Sequence, residues 1–326
     1  LEAAKKAAAN GERVALFCFN SNLADWLNSY FENMPASVRP VFVGTLHKYM
    51  TQVAKEAGML PTFPRDPDKI QQYYQEDLPE AAALALLETG ELYDKIVIDE
   101  AQDVIRDSYL EVLGCCLNKG LSRGRWTMFG DFSMQAIYAD GMTGAMMIEK
   151  MEDLTSFIRF KLTVNCRNTK PICTEIETVT GFKAPHDLWT KVDGPPVQYI
   201  TWSTMEGQCK KLKALLKQLA EQHINPEEIT ILSPRKREDS VVALLDGYTV
   251  KDFKVPAGLN TTFCTIQAYK GLENTVIILT DIESFNSDKL MYVGLSRACS
   301  GLFVLENDAA KKEYDDLLLR RLLNER

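Results

Sequence analysis

Short apolar, β-branched or aromatic runs alternate with longer amphipathic stretches almost from end to end of the chain. That is the pattern of parallel sheets covered by helices on both faces, an α/β fold. In the first half, strands are predicted at 14–19, 41–44, 95–99 and 127–130, with helices near 22–32, 46–57, 68–88 and 104–118. In the second half, strands are predicted at 158–163, 197–202, 229–233, 261–266, 276–281 and 302–305. Each half can therefore form its own sheet. The segment 141–155 is rich in methionine and glycine and lacks strand character, which puts the expected domain junction near Met151 and divides the chain into 1–150 and 151–326. Helices are also expected at 205–222 and 309–326, and the opening run LEAAKKAAANG reads as a helix closed by Asn10 and Gly11.

Composition narrows the class. The 326 residues are 46% hydrophobic and 25% charged, enough for two domains that each bury a core. No apolar run approaches the roughly 18 residues a membrane span needs, so no membrane partner is expected. The eight cysteines form no CxxC pair and only three histidines accompany them, which argues against a zinc site or disulfide framework. Free thiols and the lack of a signal-peptide pattern point to the cytoplasm. A net charge of −8 argues against coating nucleic acid through bulk charge, while leaving room for a local basic groove.

The strongest chemical signal is KIVIDEAQD at 95–103, a buried-strand pattern ending in adjacent acids. At the carboxyl end of a strand in an open α/β sheet, such side chains face the ligand crevice. Asp99 is placed to hold a magnesium ion and Glu100 to orient and deprotonate an attacking water. The competing reading is a strand followed by a helix N-cap and first turn, where acids are favoured by the helix dipole.

DEAQD resembles the magnesium-binding motif II of UvrD/Rep-type superfamily 1 helicases, and further segments resembling that family follow in order. MFGDFSMQAIY at 128–138 resembles motif III, which implies that Gln135 contacts the γ-phosphate. LTVNCRN at 162–168 resembles motif IV, implying an arginine on the triphosphate at Arg167. TIQAYKGLE at 265–273 is similar to motif V, implying strand contact by Thr265 and nucleotide contact by Gly271 and Glu273. MYVGLSRA at 291–298 resembles motif VI, implying an arginine finger at Arg297. FCFN at 17–20 and Thr45-Leu46-His47 resemble motifs Ia and Ib, implying a strand-binding row of Phe19, Asn20, Thr45 and His47, with Tyr138 beside it.

The resemblance implies two RecA-like domains, ATP and Mg2+ as cofactors, and translocation or unwinding of single-stranded or partly duplex DNA in the 3′ to 5′ direction, with RNA an open alternative. Because the acids fall in the first half and the arginines in the second, complete chemistry needs both halves. The sequence also departs from the family. No GxxxxGK[ST] occurs in the 326 residues, so the chain as given is expected not to hydrolyse ATP, and the phosphate-binding loop is expected before Leu1. Motif III continues as Tyr138-Ala139-Asp140 where relatives place a base-stacking tryptophan, and Gln267 stands where they often have histidine. The intervals between motifs leave no room for large inserted subdomains. This suits a stripped motor attached to an upstream domain or partner subunit such as a nuclease. Two other expectations stand beside it: a nucleotide-gated DNA-binding or signalling module, and an inactive helicase-like scaffold.

Overall fold

Val14–Cys18 is buried at all five positions and forms β1. It lies inside an all-parallel sheet ordered β2-β1-β3-β4, with β2 at Phe42–Thr45, β3 at Lys95–Ile98 and β4 at Arg125–Met128. A strand covered on both faces needs no polar alternation, which is why this run reads VALFC. Ala15, Phe17, Ile96 and Ile98 share a core with Leu46, Met50, Leu78, Leu86 and Leu113. Those residues come from α3 (Leu46–Glu56), α5 (Leu78–Thr89) and α6 (Asp107–Cys116). The alternate positions, Val14 and Leu16, point to the other face, and α1 (Glu2–Ala9) and α2 (Ser21–Glu32) lie against β1. The expected helix 68–88 is interrupted: α4 (Ile70–Gln72) passes through a π-helical turn, Tyr73–Asp77, before α5. A short α7 (Gly120–Arg123) leads into β4.

The structure is a computed structural model and describes residues 1–90, 92–132, 142–182, 187–188, 193–255 and 258–324. It divides into two compact units, Leu1–Arg159 and Phe160–Arg326. The expected junction at Met151 shifts because α8 (Gly144–Leu154) buries Met147 and Met151 in the core of the first unit. Met147 and Met151, which looked like linker, are core contacts.

The second unit holds a six-stranded parallel sheet ordered β7-β12-β11-β8-β10-β9. Its strands are β7 (Gln198–Trp202), β8 (Ile229–Ser233), β9 (Val250–Asp252), β10 (Thr261–Thr265), β11 (Asn274–Ile282) and β12 (Ala298–Asn307). One face packs on α10 (Met205–Glu221), where Leu212, Leu216 and Leu219 meet Ile231, Ile278 and Leu305. The rest is flanked by α9 (Lys170–Thr180), α11 (Asp288–Leu295) and α12 (Asp308–Asn324). Two parallel sheets flanked by helices, one per unit, are what the expected pair of RecA-like domains requires. No described helix is long and apolar enough to cross a membrane.

One expected strand is absent. Ile158, Phe160 and Leu162 alternate as a strand would, yet they are 81%, 88% and 84% exposed. Only Val164–Asn165 pairs, as β5, with β6 (Asp187–Leu188). Alternation supplies one apolar face but no ladder, and the six-stranded sheet closes its edges with β7 and β9 instead.

Two buried carboxylates in the second unit are treated in opposite ways. Asp281, at φ +59°, accepts bonds from Gln208, Ser233, Ser240, Thr280 and the Val241 amide, so its charge is solvated by the fold. Glu306 is equally buried, but its Oε1 receives only a long bond from Thr201 at 3.5 Å and its Oε2 meets no donor. Burial pushes Glu306 up to about 7, assisted by Asp315 and Glu175 and opposed by Lys311. Folding therefore takes up a proton between the unfolded value near 4.5 and the folded value near 7, and stability is lost as pH rises through that window. Glu306→Gln is expected to stabilise the protein by roughly 1–3 kcal/mol at about pH 8 and by little near pH 4.5, read from urea unfolding at the two pH values.

Candidate functional site

In the first unit, β3 delivers its last residues to the carboxyl edge of the sheet. The ladder runs one step past the named strands, with the Asp99 amide donating to Phe17 O at 2.8 Å and the Phe129 amide to Ile98 O at 2.8 Å. Chain direction then changes abruptly: Glu100 lies in the left-handed region at φ 55°, ψ 45°. A residue with a side chain held there costs about 1–2 kcal/mol, and such outliers concentrate at functional positions. The Glu100 amide donates to Asp99 Oδ1 at 3.1 Å, so the two acids are tied together at the turn. Asp103 is buried one helical turn later. The Cys18 thiol at the end of neighbouring β1 is pushed up, first by burial and then by the charges of Asp99, Glu100 and Asp25. That places both acids beside the end of β1.

Gln102 was not selected from the sequence, yet it organises this corner. It is 1% exposed; its Nε2 donates to Glu100 Oε2 at 2.5 Å and its Oε1 accepts the Asp131 amide at 3.1 Å. Its place in DEAQD was the available signal, masked there by the attention that acids attract. Gly130 fits against it without a side chain, because a Cβ there would lie 2.6 Å from Gln102 Oε1 and 3.2 Å from the Ala101 amide.

The strand-binding row expected from motifs Ia and Ib is assembled at the same edge, since Cys18 and Thr45 are register partners. Each member also has a structural task. Asn20 caps α2, its Oδ1 accepting the amides of Asn22 and Leu23, and Thr45 caps α3 by accepting the Lys48 amide at 3.1 Å. Phe19 meets His47 edge-on at 5.1 Å. His47 Nε2 is bonded to Tyr109 Oη at 2.7 Å and packs on Tyr74. Burial, and then the charge of Arg106, lower the His47 imidazole to about 4, so it is neutral at physiological pH. Gln135 and Tyr138 lie outside the described residues.

In the second unit, the residues expected from motifs IV, V and VI converge at the opposite, amino edge of their sheet. Glu273 immediately precedes β11 and Arg297 immediately precedes β12, with Asn274 and Ala298 in register. Arg167 forms an ion pair with Glu273 through Nε. Asn165 Oδ1 accepts the amides of both Arg167 and Asn168, which shapes the turn that presents Arg167. Buried Asn168 then donates to Ser296 O at 3.1 Å and Ala298 O at 2.7 Å, pinning motif IV to the residues flanking Arg297. Gly271, at φ +84°, makes the turn that brings Leu272 O to Arg297 Nη1 at 3.2 Å. The Cys299 thiol is raised by burial and by Glu273 and lowered by Arg167 and Arg297, so all three charged groups act on one point.

Arg297 is not presented at the surface as a finger would be. It is 1% exposed, and its guanidinium also donates to Val293 O at 2.9 Å and Ser296 Oγ at 2.7 Å. Thr265 stands apart from this group, at the carboxyl end of β10, where its Oγ1 accepts the Ala268 amide at 3.3 Å.

Among the described residues, no three histidine, cysteine, aspartate or glutamate side chains are grouped to hold a metal ion. A magnesium ion needs fewer, since it keeps water and takes its other ligands from substrate phosphates. One carboxylate at the turn, Asp99, fits that requirement.

The close approach at Gly130 is testable by itself. Gly130→Ala is expected to displace Gln102 and to cost about 1–3 kcal/mol in equilibrium unfolding, whereas Gly11→Ala, with open space around it, loses only what its positive φ imposes.

No protein-family model and no curated protein matches the chain. Among solved structures it is similar to the crystal structure of the C-terminal domain of a possible DNA helicase from Lactobacillus plantarum WCFS1. The TM-score is 0.36 and the identity 14%, over 44% of this chain and 88% of that one. A likeness of that size decides nothing about activity.

Proposed function

We propose that the chain is the core of an ATP-dependent nucleic-acid translocase or helicase of the superfamily 1 kind, acting on single-stranded or partly duplex DNA. The observation that carries this reading is Glu100: a carboxylate held in a strained left-handed turn at the carboxyl end of a central parallel strand, tied to Asp99 and gripped by Gln102. Structural N-caps do not require that conformation. Phosphoryl transfer asks for a positioned water and for positive charge around the γ-phosphate. Glu100 is the group that orients the water and accepts its proton. Asp99 would hold the magnesium ion, which neutralises phosphate charge when bound. Arg167 is the cation most ready to meet a phosphate, because its ion pair with Glu273 is partly exposed and exchangeable.

A second reading, a nucleotide-gated binding or signalling module, is favoured by Arg297. Its guanidinium is engaged by buried acceptors inside the unit, which suits a residue that responds to a ligand more than one standing ready for turnover.

The test uses the full-length protein. ATP hydrolysis is measured with and without single-stranded DNA, beside Glu100→Gln. A motor gives DNA-stimulated hydrolysis that the variant lowers about 100-fold or more. Hydrolysis indifferent to DNA selects the gated module, and none under either condition leaves an inactive scaffold.

A further inference from the structure

Gln102 is a neutral side chain buried among charged ones, and its two ends are chemically distinct. The Asp131 amide can only donate, so the atom it meets at 3.1 Å must be the Gln102 oxygen. The opposite end is then the NH2 group, which donates to Glu100 Oε2 at 2.5 Å. The orientation of the amide is thus dictated by a backbone donor at the end of β4 and handed on to the carboxylate. Gly130 leaves the space that this seat requires.

We propose that Gln102 is a positioning residue for Glu100: by donating to Oε2 it fixes the direction in which the carboxylate meets the attacking water and takes up its proton. This rests on the reading of Glu100 as the water-activating group. Donation by a neutral amide suits the task in two ways. It fixes the direction of the carboxylate without neutralising it, as an arginine or lysine at this distance would. It also links the carboxylate to the strand end carrying Asp131, so a displacement there is felt at Glu100 through two hydrogen bonds. The sequence alternatives at this position fail one bond or the other. A leucine loses both, and a glutamate keeps an acceptor for the Asp131 amide while setting a second carboxylate against Glu100.

That last property gives a signature that simple loss of packing cannot imitate. In Gln102→Glu the two carboxyls form a coupled pair. While the pair retains one proton, the introduced carboxyl can donate to Glu100 as the amide did, and hydrolysis continues. Once that proton leaves, like charges repel and Glu100 turns away. The full-length protein, wild type and with Gln102→Glu or Gln102→Leu, is assayed for kcat and KM for ATP between about pH 5.5 and 9, with thermal unfolding of each.

Gln102→Glu is expected to fold with a near-wild-type melting temperature at the acid end of this range, where the pair keeps its proton, and to keep KM within about twofold there. Its kcat should fall about 10- to 100-fold as pH rises, over a range where the wild type holds steady or gains. Gln102→Leu should lose kcat at every pH. A Gln102→Glu variant with the wild-type pH profile, or with kcat and KM altered equally at all pH values, overturns the positioning role while leaving the hydrolase reading intact. Wild-type protein that hydrolyses no ATP removes that reading, and this role with it.

Discussion

In a parallel sheet every strand hands its carboxyl end to the same edge, and the backbone there must leave the ladder and turn. That constraint gathers the candidate residues of the first unit. β1, β2, β3 and β4 deliver Phe19 and Asn20, Thr45, Asp99 and Glu100, and Gly130 and Asp131 to one edge. In the turn after β3 Glu100 adopts a left-handed conformation and Gln102 closes back on it. Unlike loops that only connect, this turn is fixed on both sides: by the ladder bond from Asp99 to Phe17 and by the Ala101 amide bonded to Phe129 O at 2.9 Å. A carboxylate set on such a turn cannot relax away from its neighbours, so the strain is retained.

The second unit follows a different logic. Its charged cluster of Arg167, Glu273 and Arg297 gathers at the amino ends of β11 and β12, whereas Ser233, Thr265 and Asp281 belong to the carboxyl edge. Asp281 there is fully consumed by five donors and serves to hold β11, β8 and α10 together. A search guided only by the carboxyl-edge rule would have chosen Asp281 as the site of interest. Its hydrogen bonds argue for a fastening role instead.

These contrasts explain what could be read from the sequence. The central strands were legible because double coverage leaves apolar runs, such as VALFC and the core of β11, with no competing interpretation. Met151 was misread because methionine and glycine suggest a linker only when tertiary contacts are unknown; α8 docks both Met147 and Met151. The run at Ile158–Leu162 was misread for the converse reason, since alternation specifies a face and not a partner strand. At the site, types and order of charged residues were visible in the motifs. What was not visible was which groups are already occupied. Asn20 and Thr45 spend acceptors on helix caps, and His47 is a neutral member of an aromatic cluster. Gln102 and Asn168, each of which ties together candidate residues within its own unit, carry no charge to draw attention.

Arg297 shows how occupancy bears on mechanism. Its guanidinium reaches acceptors in α11, in the turn at Leu272 and on Ser296, and so locks the segments resembling motifs V and VI to each other. Extracting it would strand two carbonyls and a hydroxyl in the interior, each costing about 1–3 kcal/mol unless replaced. A ligand can shift such an arrangement only by binding the rearranged form more tightly than the stowed one. Arg167 faces no such barrier, because its partner Glu273 is itself partly exposed and water can replace either member of the pair. The two arginines are therefore unequal: Arg167 is held by a partly exposed, exchangeable ion pair, whereas Arg297 can be released only after the segments around Gly271 and α11 have moved.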